Sequence, residues 1–121
     1  KCWPFHLSLL CQEVRTKAFF ACRSSDAVHC DDLAAPVGFV TGIVYDDEGA
    51  ASASQLMASP SELLLERAGR LGLADPEIHR VVSRLTELAL SGARRLGVDY
   101  LANADTANAR ELFARALGRT T

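Results

Sequence analysis

The fold of this chain is indicated most clearly by residues 90–117, which read LSGARRLGVDYLANADTANARELFARAL. In the first half of this stretch, Ala93, Leu96 and Tyr100 recur at spacings of three and four residues, which places them on one face of a helix. Gly97 allows a neighbouring backbone to approach closely because it has no Cβ. The pattern predicts a short helix with one face ready to pack.

The second half carries a matching apolar stripe behind a residue that can cap a helix. Asn103 or Asp105 can accept a hydrogen bond from the free N–H groups at the start of a helix. The stripe combines small residues with one aromatic ring and consists of Ala109, Leu112, Phe113, Ala116 and Leu117. We therefore predict an antiparallel helical hairpin with Tyr100 and Phe113 at its seam.

The order of residues in this hairpin resembles the tetratricopeptide repeat, whose helix pair uses Leu-Gly, Tyr, Ala, Phe and Ala-Leu in that order. The corresponding residues are Leu96, Gly97, Tyr100, Ala109, Phe113, Ala116 and Leu117. The resemblance implies a unit that stacks on further helices, because such arrays usually need about three repeats. The chain departs from the pattern at Ala93, where the family favours a large aromatic residue, and at Ala104, where it favours Gly. An ordinary amphipathic hairpin is the alternative, and it predicts the same local structure.

Length and composition set the broad class. A chain of 121 residues with 49% hydrophobic and 23% charged residues fits one globular domain. The net charge of −2 leaves no basic excess to neutralise phosphates, so we expect no nucleic-acid partner. The longest apolar stretch, residues 33–45, has 13 residues and contains Pro36, Gly38 and Gly42. No transmembrane span is therefore predicted.

Two regions follow from the patterns, residues 1–50 and residues 51–121, within what we expect to be one compact unit. Residues 5–22 show helical periodicity behind Pro4, and residues 38–45 (GFVTGIVY) favour a short strand. A small, polar stretch at residues 49–54 is typical of a linker. Large aromatic side chains are concentrated in the first region and are the predicted partner contacts: Trp3, Phe5, Phe19, Phe20 and Phe39.

The second region contains two clear helix starts. Ser59-Pro60 precedes a helix that should reach about Gly72, and Asp75-Pro76 starts the next one. The sequence leaves open whether that helix breaks at Ser91-Gly92 or continues to Ala102. The expected class is mainly α, built from antiparallel helical hairpins, with the possible short strand at residues 38–45.

Chemistry-bearing residues are few. Cys2, Cys11, Cys22 and Cys30 lie in the first 30 residues without the close Cys pairs of a zinc site. Free or buried thiols are expected, although a disulfide such as Cys2–Cys30 would be compatible with an oxidising compartment. A catalytic use of His79 or Tyr100 as a proton donor has no supporting motif.

The sequence thus predicts a non-enzymatic helical interaction or assembly subunit of a larger complex, without a cofactor or metal site. Its expected partners are other protein subunits. The motivation is the apolar surface from Phe5 to Phe20 and from Val37 to Tyr45, for which the chain offers few partners. The alternative is a small thiol-rich redox or metal-binding module using Cys22, His29 and Cys30.

Overall fold

The computed structural model describes residues 14–16, 20–22, 29, 32–58, 62–97, 107, 110, 111, 114 and 115. Within these residues the chain is mainly α-helical, which confirms the predicted class. The helices are α1 (Ala34–Val44), α2 (Asp47–Leu56), α3 (Glu62–Leu71) and α4 (Pro76–Leu96). A 3-10 turn, Gly72–Ala74, joins α3 to α4. Strands β1 (Val14–Thr16) and β2 (Phe20–Cys22) precede the helices.

Helix α4 is the element on which α1 and α2 pack. Its start is confirmed where the sequence predicts it, because the Asp75 carboxylate accepts hydrogen bonds from the backbone N–H groups of Glu77 (2.9 Å) and Ile78 (3.2 Å). Pro76 occupies the first helical position, where an N–H group would have no helical partner. The 21 residues of α4 span roughly 30 Å.

The position at which α4 ends shows whether the helix that begins at Pro76 is continuous through Ser91-Gly92. The helix does not break at Ser91-Gly92 but continues to Leu96. Gly97 ends it with a φ of 70°, in the left-handed region that favours glycine. Residues 90–96 are therefore the last turns of a long helix. Residues 107, 110, 111, 114 and 115 are helical, and the remainder of the predicted hairpin lies outside the described residues.

Helix α1 replaces the strand that the sequence predicts at residues 38–45, so that prediction is wrong. Pro36 lies in the first turn of α1, where its missing N–H group removes no helical hydrogen bond. Tyr45 is the C-cap residue of α1, and its backbone N–H donates a hydrogen bond to the carbonyl of Thr41 (3.1 Å). The helix makes the most extensive contact of any element with α4.

The linker predicted at residues 49–54 is also wrong, because this segment lies within α2. Asp46 caps α2 by accepting a hydrogen bond from the backbone N–H of Gly49 (2.7 Å). Acidic Asp47 and Glu48 follow in the first turn, where the helix dipole favours negative charge. Helix α2 packs on both α1 and α4.

The helix predicted over residues 5–22 is wrong where the structure describes this region. Strands β1 and β2 pair antiparallel with Val14 opposite Cys22, Arg15 opposite Ala21 and Thr16 opposite Phe20. The described part of the chain thus contains one two-stranded hairpin.

The described core is made almost entirely of small side chains. The buried apolar residues are Ala35, Ala53, Ile78, Ala89 and Ala93. Ile78 is the only large side chain among them. At Gly42 and Gly92 the backbones of α1 and α4 approach each other more closely than a Cβ atom would allow.

Candidate partner interface

One face of α1 is apolar and open to solvent. Leu33, Val37 and Val44 are separated by four and seven residues, so they share a helix face, and each is between 57% and 61% exposed. Tyr45, at the end of the helix, is 63% exposed. We call Val37 and Val44, together with Leu33 at the N-cap position just before the helix, the outer face of α1. It forms a row of aliphatic side chains without a charged neighbour in residues 33–45.

The opposite face of α1 consists of small residues and lies directly against α4. A Cβ atom at Gly42 would overlap the carbonyl oxygen of Ala89 and would lie 2.9 Å from its carbonyl carbon. A Cβ atom at Gly92 would overlap the Gly42 carbonyl oxygen in turn. The two backbones thus meet at a seam formed by Gly42, Ala89 and Gly92, where only glycine fits at two of the three positions. This seam fixes which side of α1 faces outward.

An ion pair locks the corner between α1 and α2 onto α4. Arg95 donates to the carboxylate of Asp46 through Nε (2.9 Å) and through its terminal nitrogen (2.6 Å). Asp46 is buried, and the hydrogen bonds from the Arg95 guanidinium lower the pKa of its carboxyl, with a further contribution from the Gly49 N–H against the opposing effect of burial. The same pairing raises the pKa of Arg95. One carboxylate therefore both caps α2 and binds α4.

A second, similar ion pair holds α3 to the start of α4. Arg67 donates to Asp75 through Nε (2.8 Å) and to Glu77 (2.8 Å). The Arg67 hydrogen bonds lower the pKa of the Asp75 carboxyl, which also accepts from the N–H groups of α4. Residues 63–71 of α3 contain no buried side chain, and Leu63, Leu65 and Leu71 are more than half exposed.

A groove of about 500 Å³ runs along α4 beside the first turn of α2. Four arginines, Arg84, Arg94, Arg95 and Arg110, line it beside Glu48, Glu87 and the apolar side chains of Leu88 and Leu90. Arg84 pairs with Glu87 (2.9 Å), and Arg95 pairs with Asp46 and Glu48. Arg94 and Arg110 form no ion pair with a carboxylate in the part of the chain that the structure describes. We call this the arginine groove.

The residues predicted as partner contacts are only partly described. Phe39 is half-buried on α1, and Phe20 lies in β2. Trp3, Phe5 and Phe19 lie outside the described residues. In the predicted hairpin, Leu96 and Gly97 are half-buried at the end of α4, whereas its other members fall outside: Tyr100, Ala109, Phe113 and Ala116.

Ala93 has a position that the hairpin prediction did not anticipate. It is buried against α1, since its backbone nitrogen would lie 3.1 Å from a Cβ at Gly42. Two residues of the outer face of α1, Val37 and Val44, belong to the apolar segment from Val37 to Tyr45 that the sequence predicts as partner surface, whereas Leu33 precedes that segment. The four- and seven-residue spacing of Leu33, Val37 and Val44 was the signal for this face.

The thiol and metal alternative rests on few described residues. Cys22 is a free, exposed cysteine and His29 is exposed, whereas Cys30 is outside the described residues. Across the residues that the structure describes, no three His, Cys, Asp or Glu side chains come together in a metal-binding group. His79 is half-buried, and Ser83 donates a hydrogen bond to its backbone carbonyl (2.7 Å).

The described residues form a mainly helical structure with a small-residue core, an apolar outer face and an arginine-lined groove. None of the described helices is long and apolar enough to cross a membrane. Comparison of the chain with known protein families, with curated proteins and with solved structures gave no match.

Proposed function

We propose that this chain is a non-enzymatic interaction or assembly subunit that binds another protein through the outer face of α1. The observation that supports the proposal is the row of Leu33, Val37 and Val44, aliphatic side chains that are each more than half exposed. Aliphatic side chains aligned along one helix in this way are typical of a surface that another protein covers.

The internal packing of α1 adds to this argument. A helix that is apolar on every side normally has protein on every side. In α1 the small-residue side is covered by α4, whereas the outer face is open. The partner that fits is an apolar helix or a comparable apolar surface, because the outer face carries no charged side chain and presents only aliphatic groups.

The proposal can be tested with a pair of charge-matched variants of the full chain. Val37→Lys with Val44→Lys introduces two positive charges on the outer face. Ser54→Lys with Gln55→Lys introduces the same charge on α2, at two exposed positions. Because all four side chains are exposed or more than half exposed, both variants should retain the circular dichroism spectrum of the wild type.

Tagged wild type and both variants would be purified from the native host under non-denaturing conditions, and bound proteins quantified by mass spectrometry. We expect a defined set of proteins to be recovered with the wild type and the α2 variant, and to fall at least tenfold with the α1 variant. Equal recovery with both variants, or no protein enriched above an untagged control, would contradict the proposal.

A further inference from the structure

We propose that the arginine groove binds a phosphate monoester dianion attached to an apolar group. This site is independent of the outer face of α1. None of its lining residues belongs to that outer face, and its chemistry is cationic rather than aliphatic.

The first argument is the unequal pairing of the four arginines. Arg84 and Arg95 already contact carboxylates, whereas Arg94 and Arg110 have no ion pair with any described residue. A guanidinium group presents a planar fork of N–H donors that matches the oxygens of phosphate. Two such groups in one groove suit an anion that carries close to two charges, as a phosphate monoester does near neutral pH, better than a single carboxylate.

The second argument is the shape and lining of the groove. A volume of about 500 Å³ lies within the range of small-molecule sites. Leu88 and Leu90 supply apolar surface next to the arginines, so a ligand with both a phosphoryl group and an apolar part would contact more of the groove than inorganic phosphate.

The acidic side chains of the groove allow us to predict whether a substitution will strengthen or weaken anion binding. The Glu87 carboxylate pairs closely with Arg84, at 2.9 Å. The exposed Glu48 carboxylate is held more weakly, because it lies 3.7 Å from the Arg95 guanidinium, which pairs with Asp46 at 2.6 Å. The Glu48 carboxylate therefore opposes an incoming anion. Replacing it by Gln should strengthen anion binding severalfold, which a purely structural role of the arginines would not explain.

Binding to the full chain would be measured by isothermal titration calorimetry with three probes: phenyl phosphate, acetate, and a peptide with one phosphoserine flanked by apolar residues. We expect phenyl phosphate to bind at least tenfold more tightly than acetate. A preference for the peptide over phenyl phosphate would assign the phosphoryl group to a protein partner. Equal affinity would assign it to a free small molecule.

Variants locate the site. Arg94→Gln and Arg110→Gln should each weaken phenyl phosphate binding about tenfold or more, the typical effect of losing a hydrogen bond to a charged group. Arg80→Gln is the matched control, because Arg80 is exposed on the same helix but does not line the groove. Absence of binding by both phosphorylated probes, equal loss in all three variants, or weaker binding by Glu48→Gln would overturn the proposal.

Discussion

Replacing Gly42 by alanine should force α1 away from α4, because the seam leaves no space for a Cβ atom. The new carbon would overlap the carbonyl oxygen of Ala89 and lie 2.9 Å from its carbonyl carbon, where ordinary contact begins at 3.4 Å. The obstructing atoms belong to the backbone of a 21-residue helix, so no side chain can rotate away to relieve the clash. The helices must separate instead.

The magnitude follows from that separation. To reach ordinary contact distance from the new Cβ, the carbonyl carbon of Ala89 would have to move away by about 0.5 Å and its oxygen by more. A gap of this size between the helices removes a quarter to a half of the dispersion energy of each contact along the seam. Overpacking of this kind typically costs about 1–3 kcal/mol and sometimes more, whereas the helix propensity of alanine returns about 1 kcal/mol. Because the Cβ would overlap a backbone carbonyl that cannot rotate away, the cost should lie at the upper end of that range, about 3 kcal/mol. After the propensity gain of about 1 kcal/mol, we expect Gly42→Ala to lower the free energy of unfolding by about 2 kcal/mol.

Gly69 provides the matched control. It also lies inside a helix, α3, but no atom lies within 4 Å of the position that its Cβ would occupy. Gly69→Ala should therefore raise the free energy of unfolding by about 0.5–1 kcal/mol through propensity alone. Opposite signs from the same chemical change would isolate the effect of the seam.

The assay is urea unfolding followed by circular dichroism at 222 nm. Gly92→Ala and the Gly42→Ala/Gly92→Ala double variant should be included, since one separation of the helices makes room for both Cβ atoms and the double effect should be less than additive. If Gly42→Ala unfolds at the same urea concentration as the wild type, or a higher one, α1 does not lie against α4 as described. The orientation that exposes Leu33, Val37 and Val44 would then be wrong as well.

Two further outcomes follow from the ion pairs and from the described thiol. Because the pKa of Asp46 is held below its ordinary value of 3.8, its carboxylate adds stability above about pH 4 that is lost as the pH falls through the lower, folded-state value. The urea midpoint of the wild type should therefore fall as the pH is lowered below the ordinary value of 3.8. Asp46→Asn, which keeps the cap but not the charge, should show a shallower fall, and parallel curves would contradict this. Cys22 is exposed and free, so iodoacetamide should alkylate it in the native protein without reductant, as measured by peptide mass spectrometry; labelling only after reduction would show that Cys22 is paired.

The misassignment of residues 38–45 shows where composition misleads. Val40, Ile43 and Val44 are β-branched and favour a strand when they are counted by type. The glycines at 38 and 42 are four residues apart, and that spacing belongs to a helix face. The residues that meet Gly42 at the seam, Ala89 and Gly92, lie about 50 positions further along the chain, on α4. Only the pairing of the two small-residue faces gives the glycines a function, and no local pattern reports such a pairing.

Local signals predicted what local physics determines. The start of α4 could be predicted because Asp75 caps the N–H groups of residues two and three positions further on. The contact of Asp46 with Arg95 joins residues 49 positions apart, and nothing near either residue indicates it. The strands were missed for a related reason: Val14, Thr16 and Phe20 are types that favour strands, but they also fit within a longer helical periodicity.

The seam and the outer face of α1 have a common physical origin. A helix that meets its neighbour through glycine and alanine places almost no side-chain volume on the buried side. Its larger residues must then project elsewhere: Phe39, Val40 and Ile43 are half-buried, whereas Leu33, Val37 and Val44 project into solvent. A helix packed only for the stability of the monomer would carry polar side chains at these positions, because exposed aliphatic groups gain nothing from the fold. A second surface that covers them would offset the cost of leaving them apolar, so the packing within the chain agrees with the interaction role proposed above.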